Sequence, residues 1–283
     1  MKAFLGMGLL GQNFVRAMIQ KGARVQVWNR TASKATEMEQ YGAKAFADAA
    51  DAVKGAEVIH IAVKDDAAVN EVLEKASPGF TPGAIIIDHT TTSAPGAVDR
   101  TREWKERGFT YQHAPVFMGP ANALDSTGYM LVSGDQTLIG QLEPELSKMT
   151  GKLINFGEEP GKAAGMKLIG NLFLVSFTSG IADTLSLAKA LNIPVSDLSN
   201  LFDSWNPGAG LPARLKRVAN GSYDQPSWEL NMARKDVGLM MEAAKNGGTS
   251  LAVIPAIANE MDRWIKKGYG SSDWSVIGKD AVS

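Results

Sequence analysis

The chain has 283 residues, 45% of them hydrophobic, and its 29 Lys and Arg nearly cancel its 30 Asp and Glu. That length and apolar content suit one large or two ordinary domains with a real core, and the balanced charge excludes a net field that would draw the chain to nucleic acid or an anionic membrane. That balance makes small neutral or singly charged molecules the expected partners, and the absence of cysteine excludes disulfides, thiolate zinc sites and cysteine nucleophiles.

The opening MKAFLGMGLLGQNFVRAM superficially resembles a signal peptide, but Gly6, Gly8 and Gly11 punctuate the apolar run and Gln12, Asn13 and Arg16 follow it. A first strand and helix are expected instead. No run of roughly 18 uninterrupted apolar residues occurs, so neither a spanning helix nor a membrane partner is expected, and the expected location is cytoplasmic. Up to about residue 156 short β-rich runs alternate with helical stretches: KAFL at Lys2, RVQVW at Arg24, EVIHIAV at Glu57, AIIID at Ala84, FTYQHAPV at Phe109, YMLVSG at Tyr129 and KLINF at Lys152. Strand, helix and strand in repetition predict a parallel sheet covered on both faces, a doubly wound, Rossmann-like α/β domain over 1–160.

From Gly161 the β-rich runs vanish. One helical pattern reaches about Leu191, near 45 Å at 1.5 Å rise per residue, before Asn192 and Pro194 stop it. Four further helices are expected near Val195–Ser204, Leu211–Ala219, Glu229–Asn246 and Ala252–Lys267, so 161–283 is expected to be an all-α domain joined by a long interdomain helix. Being apolar on nearly all sides, that helix should be buried between the domains and against a second chain, a homodimer being favoured.

Gly6-Met7-Gly8-Leu9-Leu10-Gly11 is a G-x-G-x-x-G directly after a strand and opening a helix. In that context the glycines permit a tight turn, close approach of a pyrophosphate and close helix packing, with the phosphate charge met by the helix N-terminus. The next β-run ends Val27-Trp28-Asn29-Arg30-Thr31 and has no carboxylate to accept bonds from ribose hydroxyls. Arg30 can fork onto a 2′-phosphate there, with Asn29 and Thr31 supplying neutral bonds and Lys34 adding charge, which tips the expected cofactor to NADP(H).

The nicotinamide end should face the loops at Val63-Lys64, at Asp88 to Ser93 including Thr91, and at His113 to Pro120. Within GKAAGMKLIGNLFLVSF, Lys167 and Asn171 stand at i and i+4, an ammonium and an amide in an otherwise apolar helix. Either they share a face toward a cofactor cleft, where a desolvated lysine can hand a proton to a carbonyl oxygen, or Lys167 snorkels to solvent and Asn171 caps a kink beside Gly170. Of the three histidines, His60 reads as a packed strand residue, while His89 and His113 stand at loop starts from which either could polarise a substrate.

Gly6 to Gly11, Asn29-Arg30-Thr31, Asp88 to Ser93, Ala114-Pro115-Val116, Gly161 to Asn171, Lys235-Asp236 and Asp273-Trp274-Ser275 occur in the order seen in the β-hydroxyacid dehydrogenases, a family the chain resembles over essentially its whole length. The resemblance implies NADPH-dependent hydride transfer between nicotinamide and a small aldehyde or keto acid, or the corresponding hydroxy acid. It implies Lys167 as acid/base, Asn171 as a substrate contact, Val63, Lys64 and Thr91 along the nicotinamide half, and Lys235 reaching the same site. The second half would then be of the 6-phosphogluconate dehydrogenase C-terminal type. One departure stands out. Where the family commonly has Ser-Gly-Gly to hold a substrate carboxylate, this chain has Phe117-Met118-Gly119, which removes a hydroxyl and adds apolar bulk. That turn favours an imine reductase as the alternative, since an imine brings no carboxylate. Lys167 argues against it, because imine reductases generally carry another residue there. A non-catalytic dinucleotide sensor is the third reading.

Overall fold

A computed structural model describes residues 1–282. The chain divides into two compact units, Met1–Leu172 and Phe173–Ser283. In the first, β1 (Lys2–Leu5), β2 (Val25–Trp28), β3 (Lys44–Ala45), β4 (Val58–Ile61), β5 (Ile85–Asp88) and β6 (Thr110–His113) form a six-stranded sheet ordered β3-β2-β1-β4-β5-β6. Every pairing in it is parallel. Parallel strands buried on both faces read as continuous apolar runs, which is what VQVW, VIHI and IIID show. The order reverses between β1 and β4, and a crevice at the carboxyl ends of these two strands is where doubly wound sheets bind ligands.

Helices α1 (Leu9–Gln20), α2 (Ala32–Thr36), α3 (Ala49–Val53), α4 (Asp66–Ala76) and α5 (Ala94–Glu106) connect these strands. Three start at explicit caps: Asp48 accepts from the Ala50 N–H at 2.8 Å before α3, Asp65 accepts from the Ala68 N–H at 2.9 Å, and Ser93 accepts from the Gly96 N–H at 3.1 Å with Pro95 in the first turn of α5. The run expected as one strand over Phe109–Val116 divides at Pro115, which has no N–H to continue a ladder. Beyond it β7 (Val116–Phe117) pairs antiparallel with β8 (Tyr129–Val132), and β8 pairs parallel with β9 (Lys152–Asn155), making a second, three-stranded sheet. Helices α6 (Pro120–Asp125) and α7 (Gln136–Leu146) complete the layer.

Helix α8 (Lys162–Ala190) begins in the first unit and continues into the second, where α9 (Val195–Ser204), α10 (Leu211–Asn220), α11 (Leu230–Asn246) and α12 (Ile254–Trp264) follow. Leu230, Ala233, Val237, Ala258, Met261, Trp264 and Val276 form the core of that second unit. Asp183 of α8 ties it together, its buried carboxylate accepting the N–H groups of Ala252, Val253 and Ile254 at 2.6–3.1 Å where α12 begins. Against burial, these three donors hold its carboxyl below the usual range.

One expectation about α8 needs correction. The helix is not buried within the chain: Ile169, Leu172, Phe173 and Val175 are 51–68% exposed, because a helix apolar all round presents more surface than one small unit can cover. It is also long and apolar enough to cross a bilayer by length and composition, with a mean hydropathy of 1.4 in its most apolar window. Length and composition of this kind are shared by helices that pack on protein.

Candidate active site

The glycine loop shows what each of its glycines is for. Gly6 has φ +104°, and a Cβ on it would lie 2.2 Å from the Ala62 carbonyl oxygen; a Cβ on Gly11 would lie 1.9 Å from the Gly6 oxygen. Both are closed contacts, one setting the turn and the other letting α1 cross β1. Around Gly8 nothing lies within 4 Å of a Cβ position, so this backbone faces open space at the N-terminus of α1. A pyrophosphate fits that cradle, with the helix end supplying N–H groups and positive potential. Met7 is turned into the core, Leu10 packs partly against it, and Leu9 is 70% exposed.

Asn29 is a shaping residue. Its Oδ1 accepts the Met7 N–H at 2.9 Å and its Nδ2 donates to the Thr31 oxygen at 2.9 Å, so it fastens the glycine loop to the end of β2. Arg30, Thr31 and Lys34 are exposed beside it, and no acidic residue falls between Trp28 and Lys34. The donor set therefore suits a phosphate better than a pair of ribose hydroxyls.

The loops after β4 and β5 are held by a network that the sequence did not disclose. Buried Arg100 of α5 lies 2.9 Å from Asp66 and donates to Tyr111 Oη at 2.9 Å; Tyr111 donates to Asp88 at 2.6 Å. Asp66 accepts the Ser93 N–H at 2.9 Å, Asp88 accepts the Thr90 N–H at 2.8 Å, and Thr90 Oγ accepts the Val63 N–H at 3.1 Å. Thr91 and Lys64 are left exposed on this frame. An arginine inside DRTREWKERG gives no local sign that it turns inward.

The histidines correct one expectation. His60, His89 and His113 are 0–5% exposed and lie inside the sheet domain, so none of them faces a substrate. His89 Nδ1 donates to the Ala114 oxygen at 2.9 Å, which leaves its Nε2 to accept from His60 Nδ1 at 3.0 Å. Both rings stack on Phe4. Burial pushes His89 down to about 4 and also holds His60 well below the usual histidine range.

Lys167, Asn171 and Phe117 come together where α8 begins and β7 ends, and Met118 follows Phe117 in the chain. Lys167 is buried, and its Nζ donates to Asn171 Oδ1 at 3.0 Å along the i, i+4 face. No carboxylate lies within 4 Å of Nζ among the described residues, and burial lowers its pKa from the ordinary lysine value. Of the two local alternatives, snorkelling to solvent does not occur. The Phe117 ring lies under Nζ, 4.3 Å from centroid to nitrogen, while Met118 packs partly against the first core. Gly119 donates its N–H to Asn122 Oδ1 at 2.9 Å. Lys235 lies in the second unit on α11, its ammonium 2.8 Å from Asp236. No group of three His, Asp or Glu able to hold a metal occurs among the described residues.

A parallel sheet whose glycine loop is open only where a pyrophosphate would sit defines a dinucleotide-binding protein. Residues 2–157 match the NAD binding domain of 6-phosphogluconate dehydrogenase, and the chain belongs to this family and, with it, to the β-hydroxyacid dehydrogenase group of oxidoreductases. It is 26% identical to 3-sulfolactaldehyde reductase of Escherichia coli over 97% of this chain and 93% of that one. It is 30% identical to the cytokine-like nuclear factor N-PAC of Homo sapiens over 91% of this chain and 47% of that protein. In fold it resembles an imine reductase from Myxococcus stipitatus in complex with NADP+, with TM-score 0.90, 20% identity and 98% of both chains covered. A reductive aminase from Aspergillus terreus follows at TM-score 0.88 and 21% identity, over 98% of this chain and 97% of that one.

Proposed function

We propose that the protein is an NADPH-dependent reductase of small carbonyl compounds, able to run in reverse as a hydroxy-compound dehydrogenase, with Lys167 as the proton donor and acceptor. The observation that carries this reading is the Lys167 ammonium, buried, hydrogen-bonded to Asn171 and unpaired with any carboxylate among the described residues. Such a lysine is easier to deprotonate than a solvated one, which suits it to give a proton to an oxygen gaining negative charge. When bound, the nicotinamide supplies the hydride that reduces the carbon. Asn171 orients the ammonium through its Oδ1 and keeps its Nδ2 for a substrate oxygen. Gly6 to Gly11 form the pyrophosphate cradle, Arg30, Thr31 and Lys34 take the 2′-phosphate, and the Val63-Lys64 turn and Thr91 flank the nicotinamide half.

Imine reduction is the second reading, favoured by the apolar Phe117-Met118 turn and by the fold likeness to imine reductases. NADPH oxidation across a panel of aldehydes, keto acids and cyclic imines separates the two. Turnover confined to carbonyls supports the first and turnover confined to imines the second. NADPH binding without turnover of any compound contradicts both.

The working form is inferred to be a homodimer. Leu172, Phe173, Leu174 and Val175 on α8, together with Phe202 and Trp205 on and after α9, leave apolar surface that a second copy of the same chain would cover symmetrically. Light scattering should give a dimer mass for the native chain and a monomer for Phe173→Glu.

A further inference from the structure

Phe117 is held in an unusual seat. A Cβ on Gly170 would lie 2.3 Å from Phe117 Cζ and 2.8 Å from Cε1, so the ring occupies a slot that only glycine leaves on this face of α8. The same ring lies 4.3 Å from Lys167 Nζ, and that nitrogen's one hydrogen bond goes to Asn171. Each group therefore has a side already taken. The rest of the turn offers an anion little: position 117 has no hydroxyl, Met118 is apolar and partly packed into the core, and the Gly119 N–H is committed to Asn122. An aromatic face carries negative charge density, which attracts the ammonium and repels a carboxylate brought beside it.

The geometry points to Phe117, seated by Gly170, as a specificity-determining residue that admits a carbonyl or imine carbon bearing uncharged, apolar substituents and disfavours substrates carrying a carboxylate close to the reacting carbon. This rests on the reading that Lys167 serves the reacting atom. It narrows the substrate class beyond that reading, to uncharged compounds. Phe117 touches the ammonium directly; Gly170 is a positioning residue that acts only through the ring.

The test compares succinic semialdehyde with 4-methylpentanal, its uncharged isostere, using the full chain and saturating NADPH. The native protein should favour 4-methylpentanal in kcat/KM by at least about tenfold. Phe117→Ser should reduce that ratio about tenfold by raising kcat/KM for the semialdehyde. Gly170→Ala, which leaves the phenylalanine in place but fills its slot, should move the ratio the same way. A native ratio of one or less, or a ratio that moves in neither variant, overturns the inference.

Binding of butyramide and butyrate to the NADP+-loaded protein, followed by calorimetry, supplies a readout that needs no turnover. If no carbonyl or imine is reduced, the proposed function fails, yet tighter binding of butyramide in the native chain, levelled in Gly170→Ala, still supports the role of Phe117. Equal binding of the two, or no binding of butyramide, contradicts it.

Discussion

The glycine loop and the lysine cluster solve opposite problems in the same unit. At Gly6 to Gly11 function comes from atoms that are missing: two glycines let backbone approach backbone at distances no side chain tolerates, and the third leaves room for a ligand. At Lys167 the proposed function rests on atoms brought together, an ammonium, an amide and an aromatic ring contributed by α8 and the end of β7. The first site is dictated by backbone conformation and is local in the chain. The second depends on tertiary packing, and the chemistry proposed for it follows from burial removing water from a charge that no carboxylate among the described residues neutralises.

If that contrast is right, the largest effect belongs to the lysine. Lys167→Ala should lower kcat by roughly 10²–10⁴-fold, the usual worth of a positioned proton donor, while the dissociation constant for NADPH stays nearly constant. Equal losses in both would make the lysine part of cofactor binding and erase the distinction.

The core beneath the glycine loop gives the next effect. His89 is held near 4 when folded, so between that value and the ordinary histidine value near 6.5 the unfolded chain binds more protons than the folded one. Stability from this residue is fully present above about pH 6.5 and is lost as the pH falls toward 4. Urea unfolding should show a loss of about 2 kcal/mol between pH 7.5 and pH 5 from His89, with His60 adding to it. An unfolding free energy that is flat over this range would show that the histidines are not buried as described.

Arg30→Ala sharpens the comparison at the other end of the cofactor. It should cut the preference for NADPH over NADH by roughly tenfold, the value of one charge-assisted phosphate contact, measured as a ratio of kcat/KM values. Native kinetics that favour NADH would remove the basis for assigning Arg30 to a phosphate. The smallest effect is expected at Gly8. Because its Cβ position is open, Gly8→Ala should leave the melting temperature unchanged and weaken NADPH binding by a few-fold to about tenfold, since the methyl group enters only the ligand's space. A lower melting temperature would mean that the loop is a packing device.

Much of the first unit was legible in the sequence because its determinants are local or periodic. Strands buried on both faces read as unbroken apolar runs, and the glycine spacing after the first of them marks the phosphate turn. Lys167 and Asn171 could be singled out because polar residues in an apolar helix conflict with their setting. The Phe117 seat was half visible: the substitution of an aromatic into the turn stood out, but its contact with Gly170 joins distant parts of the chain and has no local pattern. Arg100 and the pairing of His89 with His60 were hidden for the same reason, since Arg100 is compatible with a solvated helix face and His89 with a loop start, whereas the burial of His60 could be read from its strand. The division of the Phe109–Val116 run was available in principle, since Pro115 removes a ladder donor.

The central claim is that an ammonium made labile by burial gives up its proton during reduction. The pH dependence of kcat/KM for aldehyde reduction at saturating NADPH tests it most directly. The account predicts activity that falls as the pH rises through a single ionisation below the ordinary lysine range, and a residual Lys167→Ala rate that lacks this ionisation. An ionisation that persists unchanged in Lys167→Ala would contradict it.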